Sequence, residues 1–284
     1  MYQAGLVLEG GGMRGTYTAG LLDFFLDKGI EFSHVYGVSA GACMMSSYLS
    51  KQRERGYRTY VDYLDSKHYC SLDSLLRSGD LFNAKMCYDL IPNYLNPFDY
   101  ETFEKYEGKA YAVVTNIKTG RPEYIRVKDG RKDMEAIRAS SSLPLVSRNV
   151  KIGDDLYLDG GISDSIPLRK AILDGNRKNI VILTKDANFV RKPADPKMLA
   201  ILKVRYFKYP KIYELMKTRH LEYNSTMDFV KKQEENGQAF VFRPESDCGV
   251  GRIEKDSAKL EALYKLGYED GEKNYERLKA YLDD

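Results

Sequence analysis

The sequence predicts an α/β fold: three α/β/α layers around a mostly parallel central sheet, with a helical C-terminal extension. Three observations carry that prediction. The first half alternates short apolar runs with amphipathic stretches, as expected for strands that cross to helices on both faces of a sheet. Two apolar runs end in glycine-rich turns that open helices, "LEGGGMRG" and "GVSAGA". Past residue 190 strand signals thin out and a basic, aromatic-rich helical pattern takes over. The expected division is a sheet domain over residues 1–190 and a helical, Tyr-rich region over residues 191–284 packed on it.

Each element has a local reason. "GLVLEG" is a buried strand, and "YTAGLLDFFLDKG" a helix stopped by Gly29. "HVYGVS" is a second strand and "AGACMMSSYLSKQ" a second helix. Residues 57 to 107 carry Tyr and Leu at helical spacing without a clear strand, which predicts a helical excursion. Strands resume at "KAYAVVTNI" and "PEYIRV", joined by the turn "KTGRP". "DMEAIRASSS" is a helix ending before Pro144. "DLYLDGG" and "NIVILTKD" are strands flanking the helix "SIPLRKAILDG". "AFVFRPE" adds one late strand, and Lys255 to Leu282 a charged amphipathic helix.

Composition excludes several classes. The chain has 284 residues, 43% hydrophobic, enough to bury one large core. A net charge of +3 names no partner. No run of about 18 uncharged apolar residues is present to span a bilayer. The N-terminus has no basic lead and does not resemble a secretory signal. Cys43, Cys70, Cys87 and Cys248 suit neither zinc nor a disulfide framework, and three histidines are a poor inventory for metals. The expectation is a cytoplasmic protein with reduced thiols and no bound metal or cofactor.

The two glycine turns carry the chemistry. Gly10, Gly12 and Gly15 fit the dinucleotide-binding pattern G-x-G-x-x-G. That reading wants an acidic residue at the end of the second strand, and Glu31 precedes the strand instead. A Walker loop is excluded, because Thr16 stands where that motif needs Lys. What ends the second strand is "GVSAG", with Ser39 between Gly37 and Gly41: the nucleophile elbow in its context of strand, sharp turn and helix. The glycines have a steric cause, since a Cβ two residues either side collides where strand and helix cross. The bland alternative for Ser39 is a helix N-cap.

The first turn then reads as the elbow's partner. Three glycines opening a helix expose several backbone N–H groups at a positive dipole end, a ready site for a developing oxyanion. Adjacent parallel strands deliver their C-terminal ends to one edge, which places Gly11 and Gly12 beside Ser39. Arg14 either adds positive charge or pairs with a carboxylate to fix the loop.

A serine hydroxyl needs a base. His34 lies five residues before Ser39 on the same strand, on the order of 16 Å away at 3.3 Å per residue. His68 and His220 lie in polar helical segments, so a Ser-His-Asp triad is not expected. "DDLYLDGG" offers Asp159 at a strand's C-terminal end, the edge where ligands bind in such sheets, followed by Gly160 and Gly161, which free the chain to turn. Its plain alternative is a turn or N-cap aspartate. Asp154, Asp155 and Asp164 resemble ordinary turn and cap residues. A Ser–Asp dyad has a weak base, free Asp having a pKa of about 3.9, so oxyanion stabilisation must supply much of the acceleration.

"LEGGGMRGTYTAGLL", "GVSAGA", "IRASSSLP" and "DGGISDSIP" occur in that order across residues 6 to 168, and in them the chain resembles the patatin-like phospholipases, particularly their bacterial members. The resemblance implies a lipid acyl hydrolase (phospholipase, lysophospholipase or carboxylic ester hydrolase) with Ser39 as nucleophile and Asp159 as its base. It implies an oxyanion hole in the loop Gly10, Gly11, Gly12, Met13 and Arg14, a covalent acyl-serine intermediate, and no metal. Its substrate would be a lipid or other acyl ester. Rival readings are a nucleotide-binding oxidoreductase, a non-catalytic lipid-binding protein of the same fold, and acyl transfer to an acceptor other than water.

From Arg191 to Lys232 the chain holds 11 Lys/Arg against 4 Asp/Glu, interleaved with aromatics such as Tyr206, Phe207, Tyr209 and Tyr213. This segment is either a peripheral dock for an anionic membrane or a solvated helical face beside a buried aromatic stripe. No fold-level motif for nucleic acid accompanies the charge.

Overall fold

A computed structural model describes residues 1–284. The opening strand, β1 (Tyr2–Leu8), forms because alternate residues meet different apolar layers: Leu6 and Leu8 join one buried cluster and Val7 another. Each such side chain, fully buried, contributes on the order of 1.5–3 kcal/mol. In β2 (Phe32–Val38), Val35 and Tyr36 divide between the same two clusters. In β7 (Asn179–Ile182), Ile180 and Ile182 oppose Val181 in the same way. Burial on both faces is the condition for parallel strands, and β1 pairs in parallel with both β2 and β7.

The remaining strands are β3 (Lys109–Asn116), β4 (Pro122–Val127), β5 (Val150–Ile152), β6 (Asp155–Asp159) and β8 (Ala239–Phe242). Their order is β5-β6-β3-β2-β1-β7-β8, with β4 paired to β3. β3 and β8 continue the parallel set, while β4, β5 and β6 pair antiparallel.

Helices α1 (Gly15–Asp27) and α2 (Ala40–Leu49) cover one face of the sheet. The last helix, α10 (Ser257–Asp283), lies along α1 at close range. A Cβ on Gly20 would overlap the Tyr264 carbonyl, and one on Gly267 would overlap the Tyr17 carbonyl. Three tyrosine–aspartate hydrogen bonds tie the pair: Tyr17 to Asp270 and Tyr264 to Asp23, both 2.7 Å, and Tyr268 to Asp27 at 2.9 Å. Four elements form the expected helical excursion after α2: α3 (Arg55–Val61), α4 (Leu72–Ser78), a π-helical segment Met86–Leu95 and α5 (Tyr100–Glu104). α6 (Met134–Ser140) follows β4. On the opposite face lie α7 (Leu168–Leu173), α8 (Pro196–Arg205) and the long α9 (Pro210–Glu235). No helix is long and apolar enough to cross a membrane.

Two sequence expectations need amendment. Asp164 is no ordinary turn residue: it is mostly buried, and its Oδ2 accepts from the Tyr124 hydroxyl at 2.7 Å, linking β4 to the turn after β6. β6 ends in Asp159 as expected, but it runs against the parallel strands, so its direction does not by itself bring that end to their rim.

Candidate active site

Register brings Asp159 to Ser39. Val114 of β3 pairs with Glu123 of β4 and also with Asp159 of β6, so β6 occupies the edge opposite β4. β2 pairs on that same edge at β3 residues 109–113, and β6 continues at 114–116. The two strands therefore run head to head along one edge of β3. Val38 is opposite Val113 and Asp159 opposite Val114, so the chain must turn away sharply at both ends.

Each turn has its glycines for steric reasons. At the elbow, a Cβ on Gly37 would lie 2.6 Å from the Ala42 Cα, and one on Gly41 would lie 2.5 Å from the Leu8 carbonyl oxygen. Ser39 itself sits at φ 54° and ψ −123°, a conformation costing of order 1–3 kcal/mol for a residue with a side chain. It occupies the N-cap position of α2, yet its hydroxyl makes no capping hydrogen bond and lines a cavity of about 410 Å³. At the other strand end, a Cβ on Gly160 would overlap the Val113 carbonyl. Gly161 donates its N–H to Asp159 Oδ1 at 2.7 Å.

The helix α6 and the turn after it hold both sides. Ser140 Oγ accepts from the Ser39 N–H at 2.9 Å and donates to the Val113 carbonyl at 2.6 Å. The Ser142 carbonyl accepts from the Asp159 N–H at 2.8 Å. The sequence reading assigned these serines no chemistry. Their role is tethering, which depends on tertiary placement and leaves no local pattern.

The glycine loop closes the third side. A Cβ on Gly10 would lie 2.8 Å from Ser39 Cβ and 3.0 Å from the Val38 carbonyl. Thr184 holds the loop, donating to the Gly10 carbonyl at 2.9 Å, and a Cβ on Gly11 would press on the same side chain at 2.5 Å. A Cβ on Gly15 would stand 2.9 Å from Ala40 Cβ, where α1 meets α2. The N–H groups of Gly10, Gly11 and Gly12 donate to no protein acceptor. Met13 differs from the sequence expectation: its N–H is already given to the Arg252 carbonyl at 3.0 Å and its side chain is fully buried, so it supplies no free donor. Arg14 also differs, because its Nη1 donates to the Val250 carbonyl at 3.2 Å and not to a carboxylate.

Electrostatics set the state of the acid. Asp159 is buried, and burial pushes its carboxyl above the ordinary 3.8, opposed by the Ser39 hydroxyl, Arg219, the Gly161 N–H and Arg252. Oδ2 is buried without a hydrogen-bond partner. The Ser39 hydroxyl is close enough to draw the acid downward but does not complete a hydrogen bond of ordinary geometry. A second buried carboxylate, Glu9, follows β1 and also lines the cavity. It accepts from the Thr184 N–H and the Tyr223 hydroxyl, each at 2.7 Å, while burial pushes its pKa up. None of the three histidines lines the cavity. His34 stands at the far end of β2, its Nδ1 3.1 Å from Ser33 Oγ.

The cavity has two unlike walls. Residues of the helical excursion and of the segment around α6 supply a mainly apolar one, with Leu81, Phe82, Ile91, Phe98, Ile137 and Leu143 beside the charged Arg55, Asp80 and Arg138. The segments after β7 and β8, with α9, supply Lys185, Arg191, Arg219 and Arg252 on the other. These cations and Glu9 were not singled out from sequence, because they come from four separate segments.

Residues 6–172 match the patatin-like phospholipase family, and residues 209–283 match a domain family of unknown function. The chain is similar to the uncharacterized protein YjjU of Escherichia coli (strain K12), 30% identical over 193 residues, covering 66% of this chain and 54% of that protein. It is also similar to the probable lipid hydrolase 463L of Invertebrate iridescent virus 6, 28% identical over 200 residues, covering 63% of this chain and 66% of that protein. The chain thus spans between half and two thirds of the length of these relatives. Among solved structures, VipD from Legionella pneumophila superposes with a TM-score of 0.47 at 14% identity, covering 96% of this chain and 66% of that one. The family match spans more than half of the chain and includes the elbow, the glycine loop and the Asp-Gly-Gly turn: this chain belongs to the patatin-like phospholipase family.

Proposed function

We propose that the protein is a lipid acyl hydrolase working through a Ser39–Asp159 dyad. Ser39 Oγ attacks the ester carbonyl and Asp159 takes the hydroxyl proton. The free N–H groups of Gly10, Gly11 and Gly12, with the N-terminus of α2, stabilise the oxyanion. Collapse expels the alcohol, protonated by Asp159, and leaves an acyl-serine. A water deprotonated by Asp159 then attacks that ester and releases the fatty acid and Ser39. The observation that carries this reading is the pairing of an uncapped serine in strained backbone with a buried, partnerless carboxylate oxygen in one cavity. The apolar wall suits an acyl chain.

A fluorophosphonate probe followed by mass spectrometry tests the assignment. Label is expected on Ser39 alone and is lost in Ser39→Ala. Changing His34, His68 and His220 together to Gln should leave turnover of a short p-nitrophenyl ester largely intact. A thousandfold loss in that folded triple variant refutes the dyad.

The protein also meets its substrate at an anionic membrane surface, on this reading. In and just after α8, Ile201, Val204 and Phe207 are exposed at three-residue spacing beside Lys203, Arg205 and Lys208, an apolar stripe with a basic border.

A further inference from the structure

The segments that follow β1, β7 and β8, with α9, bring a cluster of cations to the cavity, in addition to Arg55 and Arg138 from the helical excursion and α6. Arg14, Lys185, Arg191, Arg219 and Arg252 all line the cavity that holds Ser39, and none forms a salt bridge. They come from five places in the chain and are held at fixed positions. Arg14 and Arg219 donate to the carbonyls of Val250 and Gly161, the latter at 2.6 Å. The Arg191 guanidinium stacks 4.1 Å over the Tyr223 ring, and the Lys185 ammonium lies 4.7 Å over Phe189. Arg252 reaches the site from the loop whose carbonyl holds the Met13 N–H.

This arrangement is electrostatically unsatisfied. Arg14 Nε and Arg191 Nε are buried with no acceptor. The local carboxylates are few: Glu9 is already bonded to Thr184 and Tyr223, Asp80 accepts from the Arg148 N–H, Asp159 is the base, and Asp247 acts on Lys185 and Arg14 through its charge. The cations also repel one another. Burial and its neighbours Arg14 and Arg191 push Lys185 down to about 8, while burial and neighbours Arg191 and Arg252 push Arg219 down to about 10. Like charges crowded around partnerless guanidinium nitrogens cost stability. A multiply charged tetrahedral anion relieves the repulsion and fills the orphan donors at once.

We propose that this basic wall selects acyl esters whose alcohol part carries a phosphate with net negative charge, in preference to zwitterionic or neutral ones. The proposal rests on the hydrolase reading above and adds headgroup choice to it. With the ester carbonyl at Ser39 and the acyl chain along Leu81, Phe82 and Ile91, the alcohol part faces the cations. A choline-type headgroup would bring its own ammonium against Lys185 and Arg252 and forfeit most of the attraction.

Equilibrium binding in the Ser39→Ala protein tests this without turnover. The probes are lysophosphatidic acid and lysophosphatidylcholine of one acyl length, both below their critical micelle concentrations, with inorganic phosphate as competitor. Lysophosphatidic acid is expected to bind at least tenfold tighter, with phosphate competing. Adding Lys185→Gln and Arg252→Gln should bring the two lipids within about twofold. Equal affinities at the outset, or a preference that survives the double substitution, overturns the proposal. Competition by phosphate without a lipid preference overturns it too, assigning the wall to a free anion. Turnover of a neutral p-nitrophenyl ester by the protein with Ser39 intact is scored separately, so failure of the hydrolase reading is distinguishable from failure of headgroup choice.

Discussion

Replacing Ser140 with Ala removes one oxygen that serves two groups, and the structure sets the size of the effect. Ser140 is fully buried, and its hydroxyl joins the Ser39 N–H to the Val113 carbonyl with bonds of 2.9 and 2.6 Å. Both groups lose their partner in Ser140→Ala. Each buried backbone group left unpaired costs about 1–3 kcal/mol, so the variant should lose roughly 2–6 kcal/mol of stability. For a chain of this size that is a fall in Tm of roughly 3–10 °C. The consequence for rate is separate. Ser39 is held in left-handed backbone by the strand–helix crossing and by this bond, and its release lets the hydroxyl drift from Asp159. Misplacement of order 1 Å costs up to about 10²-fold in rate, so kcat should fall roughly 10- to 100-fold with KM little changed. Differential scanning calorimetry and p-nitrophenyl ester kinetics read the two effects on one preparation. A variant that loses the full stability but keeps kcat within twofold shows that the tether does not position the nucleophile. One that loses neither shows that the bond does not exist in solution.

Asp159→Asn should abolish ester turnover yet raise Tm at neutral pH. Burial lifts the Asp159 pKa above its unfolded value, so its stabilising protonation is full below about 3.9 and is lost as pH rises through the folded value; a variant no more stable than the parent at pH 7 contradicts this. For the same reason kcat/KM should fall on the acid side with a midpoint above an ordinary aspartate's, and a midpoint at or below 3.9 argues against Asp159 as base. Gly267→Ala places a methyl on the Tyr17 carbonyl and should cost about 1–3 kcal/mol in urea unfolding, whereas an unchanged midpoint denies the close crossing of α1 and α10. Changing Lys203, Arg205, Lys208 and Lys211 to Gln should weaken binding to anionic liposomes and leave binding to neutral ones unchanged; equal binding to anionic liposomes by both proteins rejects the membrane contact.

Much of the site was legible because it is written in local steric demands. Gly37, Ser39 and Gly41 announce a sharp turn between strand and helix, and Gly10–Gly12 announce exposed amides, in each case within a few residues. Asp159 was legible as an acid before two glycines, although the direction expected of its strand was not the reason it arrives. The head-to-head register of β2 and β6 on β3 brings it there, and pairing between distant strands leaves no mark within one segment. The same limit hid Ser140, Glu9 and the cations of the basic wall. Lys185 and Arg252 are unremarkable lysine and arginine in loops until β7 and β8 lie side by side. Met13 was over-read for the opposite reason: the loop pattern names five consecutive residues, and only the contact with the 250–252 segment reveals that the Met13 N–H is already engaged.

The clasp between α1 and α10 has a consequence for how the molecule comes to exist. Tyr17 finds Asp270 only after 253 further residues have been made, and β8 joins the sheet nearly as late. While still attached to the ribosome, the growing polypeptide therefore carries an oily helix surface with nothing to cover it. Chaperones that shelter nascent chains meet their need here, and a premature stop near residue 200 leaves a sticky, protease-sensitive remnant.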